Sequence, residues 1–175
     1  QLTGSGGNPS LDPFRATQVD VSYEWYFHDE ALLAIAGYRK WVDSIIGYKQ
    51  QHETINGEDY LVTGPFNGGG GYINGVKLTF QTPFFFIPNL ENFGIYSNYS
   101  FVDSDLREFS PEARPLPLSG LADHTAAVDL WYSIGKFEAR LGYKYHSPYT
   151  IIYGWSSSAL SRLQSEEILD FSTSW

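Results

Sequence analysis

Apolar and polar residues alternate along much of this chain. In "TQVDVSYEWYF" (17–27), Val19, Val21, Tyr23, Trp25 and Phe27 are apolar, and Gln18, Asp20, Ser22 and Glu24 between them are polar. A two-residue period puts alternate side chains on opposite faces of a strand. The pattern returns four times with similar clarity. Val76, Leu78 and Phe80 alternate with Lys77, Thr79 and Gln81; Phe93, Ile95, Tyr99 and Phe101 alternate with Gly94, Asn98 and Ser100. Ala126, Val128, Leu130 and Tyr132 oppose Thr125, Ala127, Asp129 and Trp131. Phe137, Ala139, Leu141, Tyr143 and Tyr145 oppose Lys136, Glu138, Arg140, Lys144 and His146. A last run sets Leu169, Phe171 and Trp175 against Asp170, Ser172 and Ser174.

The stretch "ALLAIAGYRKWVDSIIGYK" (31–49) carries apolar residues on both parities. Ala31–Ala36 alone is compatible with a helix, but the glycines and β-branched and aromatic residues beyond favour a long strand. This gives about seven strands in an up-and-down antiparallel meander. Short turns are expected near His28-Asp29-Glu30, Pro88-Asn89 and Ile134-Gly135, and long loops over about 50–70, 104–120 and 147–166. One rim of the sheet thus carries turns and the other carries loops. At the Ile134-Gly135 turn, Ser133 is expected opposite Lys136, which sets Asp129 opposite Arg140 on the polar face.

The two faces differ sharply. One is aliphatic and aromatic; the other mixes Asp20, Glu24, Lys77, Asp129, Glu138, Arg140, Lys144 and Asp170. A soluble sandwich also has an apolar inside and a polar outside. Strands of about 10–13 residues suffice to cross a bilayer at a tilt. Aromatic clusters at strand ends (Trp25, Tyr26, Phe27; Phe84, Phe85, Phe86; Tyr143, Tyr145) suit an interfacial girdle, and unequal rims suit an outer-membrane barrel. The pattern favours the membrane barrel, with a soluble sandwich or jelly roll as the alternative.

Composition narrows the chemistry. The 175 residues include 13 Tyr, 12 Phe and 5 Trp, and no cysteine, which removes disulfides, Cys-ligated zinc and thiol catalysis. A net charge of −9 and a pI near 4.7 argue against a nucleic-acid partner. No run of about 18 apolar residues suggests a membrane helix. The start "QLTGSGGNPS" is unlike a signal peptide and the end "ILDFSTSW" falls within a strand pattern. Both features lead to the expectation of a piece of a longer protein.

No catalytic set emerges. "NGGGGYING" lacks the Lys-[ST] of a phosphate loop and leads into a strand, so a bend is expected there, with Gly75 allowing close approach or a bulge. His28, His52, His124 and His146 stand apart and fit surface or turn positions better than a metal site. Asp103, Asp105 and Glu108 in "VDSDLRE" read as a solvated loop rather than a calcium site. The acids of the polar face neighbour Arg and Lys, which suits ion pairing better than glycosidase chemistry. "SALSRLQSEEI" (158–168) is compatible with a short loop helix.

Several stretches, in order, resemble the barrel domain of TonB-dependent outer-membrane receptors. In "GNPSLDPFRATQVDVSYEWYF" the shared positions are Gly7-Asn8-Pro9, Leu11, Pro13, Thr17 and Glu24-Trp25-Tyr26-Phe27; Phe14 replaces a usual acid and Arg15 is atypical. "GYRKWVDSII" resembles a second motif, with Ser44 for an aromatic. "VTGPFNGGGGYINGVKLTFQTPF" resembles a third, with Lys77 where Glu is usual. "NFGIYSNYSFVDSD" and "LSGLADHTAAVDLWYSIGKFEARLGYKYHS" resemble two more.

The resemblance implies a late-middle section, residues 1–175, of a barrel of about 22 strands whose lumen holds a plug. It implies the outer membrane of a Gram-negative bacterium, lipid around the barrel, and no enzyme activity. It also implies a small nutrient (siderophore, vitamin or oligosaccharide), and TonB with its inner-membrane energising complex, reached through a plug. No cofactor and no metal are expected. The aromatics Tyr60, Phe66, Tyr153 and Trp155, in long loops on the outer side, are the expected substrate contacts. The alternative is a soluble carbohydrate-binding β-sandwich.

Overall fold

The computed structural model describes residues 2–107, 114–152 and 160–175. Its elements are strands: β1 (Leu2–Ser5), β2 (Arg15–His28), β3 (Ala31–Ser44), β4 (Ile46–Ile55), β5 (Glu58–Asn67) and β6 (Gly71–Pro83), then β7 (Phe93–Leu106), β8 (His124–Ile134), β9 (Phe137–His146), β10 (Tyr149–Ile152), β11 (Leu160–Leu163) and β12 (Glu166–Ser174). Seven of them form one antiparallel sheet in the order β2-β3-β6-β7-β8-β9-β12. Ala31–Ala36 is strand, not helix, because its apolar residues pair with both β2 and β6. Leu160–Leu163 is also strand, so the short helix expected over 158–168 does not form across its described part.

Two of the expected long loops are largely strand over their described residues. Opposed pairs in β3 and β6 and those in β4 and β5 keep a single register, from Leu32–Gln81 out to Ile55–Glu58. The tip is Asn56-Gly57, both at positive φ, as a two-residue type I′ turn requires. The same holds for β9–β12 and β10–β11, which share one register across a short interruption. β3 and β4 together have about 80 Å of contour at about 3.3 Å per residue. Hydrocarbon is only about 30 Å thick, so the β4–β5 end stands well beyond any bilayer.

The glycine run breaks the first of these hairpins without loosening it. Gly68 N–H donates to the Ile45 carbonyl at 2.7 Å, and Arg107 N–H donates to the Gly70 carbonyl at 3.2 Å. A Cβ on Gly70 would overlap the Val42 carbonyl, and one on Gly71 would overlap that of Asp105. Neither has positive φ. Glycine is needed here for close backbone approach between β3 and β7, not for conformational freedom. Gly75 likewise makes room, with the Tyr38 ring lying over it.

Register fixes the faces. One row runs Tyr23–Ile35–Leu78–Tyr99–Ala126–Tyr145, and another Trp25–Leu33–Phe80–Ser97–Val128–Tyr143–Leu169. The opposite face carries the row Glu24–Ala34–Thr79–Asn98–Ala127–Lys144. No second sheet covers the apolar face among the described residues: Val21 is 70% exposed and Phe171 69%. Covering one such side chain is worth about 1.5–3 kcal/mol. The sandwich alternative fails on this face, because it needs a second sheet over it. At the turn rim it ends in aromatic contacts, Trp25–Phe27 at 5.4 Å, Phe93–Tyr132 at 4.5 Å and Phe137–Trp175 at 6.2 Å. Tyr26 is not among them; its hydroxyl donates to Glu24 on the polar face at 2.6 Å.

The β8–β9 register differs by two residues from expectation. Asp129 lies opposite Gly142, and Arg140 opposite Trp131. All four keep the polar face. The turn residues are Gly135 and Lys136, with Gly135 at φ 60°. A two-residue turn with glycine first is the II′ type, which needs positive φ at that place, so the turn starts one residue later.

Candidate ligand-facing surface at the loop rim

Beyond the glycine run, β1 adds parallel to β5, giving a three-stranded sheet β1-β5-β4. Residues 6–12 then cross the base of the hairpin as a strap. Gly6 N–H donates to the Thr63 carbonyl at 3.0 Å. Asn8 Nδ2 donates to the Pro65 carbonyl at 3.3 Å. Asn67 ties the strap twice, accepting from Asp12 N–H and donating to its carbonyl, both at 2.9 Å.

Pairing places Tyr60, Val62, Gly64 and Phe66 of β5 on one face with Lys49, Gln51 and Glu53 of β4. Between strap and hairpin lies a trough of 260 Å³ lined by Gly6, Lys49, Gln51, Glu53, Gly64 and Phe66, among others. Lys49 Nζ sits 5.5 Å from the Phe66 ring centroid. Gln51 Nε2 donates to Glu53 Oε1 at 2.5 Å. The trough therefore offers one ammonium over one aromatic ring, beside a carboxylate already holding an amide.

Of the four aromatics expected at the substrate, Phe66 lines this trough and is buried. Tyr60 shares its face, half-buried, six residues along β5, or about 20 Å at the usual strand rise. Tyr153 and Trp155 lie outside the described residues. Lys49, Gln51 and Glu53 were not singled out from sequence; the Asn56-Gly57 dipeptide would have revealed that they face β5.

The polar face of the main sheet is the other candidate surface. Lys144 pairs with Asp170 at 3.6 Å and His146 with Glu166 at 3.2 Å. Near the turn rim a cavity of 540 Å³ is lined by Trp131, Ser133, Glu138, Arg140, Ser172 and Ser174, with three neighbours. Towards the loop rim Leu116 and Leu118 bond to the end of β7. Leu106 and Leu116 exchange two backbone hydrogen bonds of 2.9 Å, and Leu118 N–H donates to Ser104 Oγ at 2.9 Å. Val102, Ser104 and Leu106 are buried as a result. Among the described residues no group of three or more His, Asp or Glu could hold a metal ion.

An open meander with one exposed apolar side, one polar side and long hairpins on a single rim is one wall of a large barrel. The TonB dependent receptor-like β-barrel family matches over residues 1–175. The chain belongs to the TonB-dependent receptor family. Its members are transporters of the Gram-negative outer membrane, not enzymes, and this receptor wall is an outer-membrane structure. No protein of curated function matches the chain by sequence.

Several solved structures are similar to it. The siderophore receptor PirA from Acinetobacter baumannii is 11% identical, with a TM-score of 0.65 over 95% of this chain and 26% of its own. A mutant ferric enterobactin receptor from Pseudomonas aeruginosa, in complex with enterobactin, is 12% identical, with a TM-score of 0.70 over 97% and 25%. The FrpB iron transporter from Neisseria meningitidis is 12% identical, with a TM-score of 0.66 over 99% and 25%. At these identities the likeness is one of fold. The chain spans about a quarter of the length of each.

Proposed function

We propose that this wall belongs to a receptor that imports an iron chelate across the outer membrane through a plugged barrel. The observation that carries the reading is the seven-stranded sheet with one exposed apolar face and one polar face, within a family match over residues 1–175. The siderophore and iron receptors of similar fold favour an iron chelate over a vitamin or an oligosaccharide. The chelate is held at the loop rim, where Tyr60 offers a ring for stacking and Lys49, over the covered ring of Phe66, a cation for an anionic chelate; Tyr153 and Trp155 are further candidates by sequence alone. Energy comes from TonB and its inner-membrane complex, acting through a plug that moves.

The test is uptake of radiolabelled ferric chelates by iron-starved cells with and without the receptor. Receptor-dependent uptake that stops when the inner-membrane proton gradient is collapsed supports the proposal. Receptor-dependent uptake of a vitamin or an oligosaccharide, with none of any iron chelate, overturns the substrate class.

A further inference from the structure

We propose that the apolar face ends, on its loop-rim side, in a site for the headgroup of a phosphorylated sugar lipid of the outer leaflet, with Arg39 holding the phosphate. The proposal uses the outer-membrane placement of this wall and stands apart from what the loop rim binds.

Register sets two successive rows there, Val19–Arg39–Asn74–Asp103 and, one step nearer the loops, Thr17–Trp41–Tyr72–Asp105. They continue the face of the rows Val21–Gly37–Val76–Phe101 and Tyr23–Ile35–Leu78–Tyr99. From the turn rim up to Arg39, this face of β2, β3, β6 and β7 carries no Asp, Glu, Lys or Arg. Ala31 starts β3 at the turn rim and Trp41 lies ten residues on. That is about 33 Å of strand, or about 25 Å of height at a tilt of about 40°. The apolar band of an outer-membrane barrel has that height and ends in aromatic residues on both sides. Trp41 and Tyr72 stand at the outer end, so Arg39 lies where headgroups meet tails.

Rings hold this guanidinium, not acids. Its Cζ lies over the Trp41 ring, 5.3 Å from the centroid, and over the Tyr72 ring at 5.1 Å. The two acids take neutral donors instead: the Tyr72 hydroxyl donates to Asp105 Oδ2 at 3.0 Å, and Asn74 Nδ2 donates to Asp103 Oδ2 at 3.4 Å. Arg39 is exposed and has no ion pair among the described residues. Its fork of N–H donors matches a phosphate in two-point geometry. Beside and below it, Val19 and Val21 are 55% and 70% exposed. A phosphate that carries acyl chains covers this apolar surface, and a free phosphate leaves it bare. Asp103 selects the headgroup. It is exposed, two strands from Arg39, or about 10 Å at the usual strand spacing. A carboxylate accepts hydrogen bonds from hydroxyls. A phosphorylated sugar spans that distance, and the shorter ethanolamine phosphate falls short of it.

The experiment gives the complete receptor, in detergent, an equimolar diglucosamine lipid phosphorylated on both sugars, and reads retention by native mass spectrometry. The parent should hold this lipid and release its dephosphorylated form. Arg39→Gln should lower retention about tenfold or more, the loss expected for charge-assisted hydrogen bonds to one phosphate. Lys136→Gln, which removes a cation at the turn rim, should change nothing. Asp103→Asn keeps the guanidinium and should also lower retention. Migration on unheated gels confirms that each variant is a folded barrel. Equal retention by Arg39→Gln and the parent overturns the site, as does an equal loss in Lys136→Gln, which would mean unspecific attraction. A rise in Asp103→Asn would show that this carboxylate only repels phosphate, and overturns the sugar headgroup. Displacement of the lipid by millimolar inorganic phosphate would make this a site for a free anion, and overturns the lipid.

Discussion

The carbonyl of Val42 leaves no room for a side chain at Gly70, and the ring of Tyr38 leaves none at Gly75. The two collisions differ in kind. A ring can rotate away, but the carbonyl belongs to the β3 backbone. Gly70→Ala should therefore destabilise the barrel more than Gly75→Ala, by up to about 1–3 kcal/mol for unrelieved overpacking. The fraction migrating as folded barrel on unheated gels, across a urea series, reads the difference; equal midpoints would refute the account. Tyr60 and Phe66 separate in the same way. Phe66 is buried beneath strap and Lys49, while Tyr60 is half-buried on the same face. Tyr60→Ala should weaken chelate binding about threefold to tenfold, as expected for one lost stacking contact of about 0.5–1.5 kcal/mol, with surface display unchanged. Phe66→Ala should instead make the hairpin sensitive to protease.

At the scale of elements, much was legible because alternation survives wherever two faces meet different surroundings. Val19 to Phe27 and Phe137 to Tyr145 declare their faces without any structure. The hairpin ends were not legible by that rule. β4 and β5 stand beyond the apolar face, so "QQHETINGED" reads as polar loop although Gln50–Ile55 pair throughout with β5. The aromatics expected at the substrate rest on residue type and position in a loop, which cannot say that Phe66 is covered. Register at Gly135 failed for a reason of turn chemistry: charge pairing of Asp129 with Arg140 is worth only about 0.2–1 kcal/mol. A non-glycine residue at positive φ costs about as much or more. The register is open to a direct check. Cysteines at Trp131 and Arg140, directly opposed, meet the Cα spacing of about 4.4–6.8 Å that a disulfide needs. The pair Asp129→Cys with Arg140→Cys is two residues out and should crosslink poorly. Ready oxidation of the second pair and not the first would reinstate the register expected from charge.

For the whole molecule the deciding fact is that the sheet does not close. β2 and β12 each have one partner only among the described strands. In hydrocarbon, every unpaired backbone group on such an edge costs several kcal/mol, and in water the apolar face has nothing to cover it. A solitary chain of these 175 residues satisfies neither solvent. It should aggregate, or stay dispersed only in detergent, whereas a complete barrel containing it should fold. Within that barrel, spin labels at Val21, Leu78 and Leu141 should be quenched by lipid-soluble reagents, and labels at Ser22, Thr79 and Lys144 should not, because register puts the two sets on opposite faces. A monodisperse monomer of the isolated chain that melts cooperatively in plain buffer would mean that the apolar face finds cover within the chain itself. The outward-facing assignment of every residue on it would then be wrong.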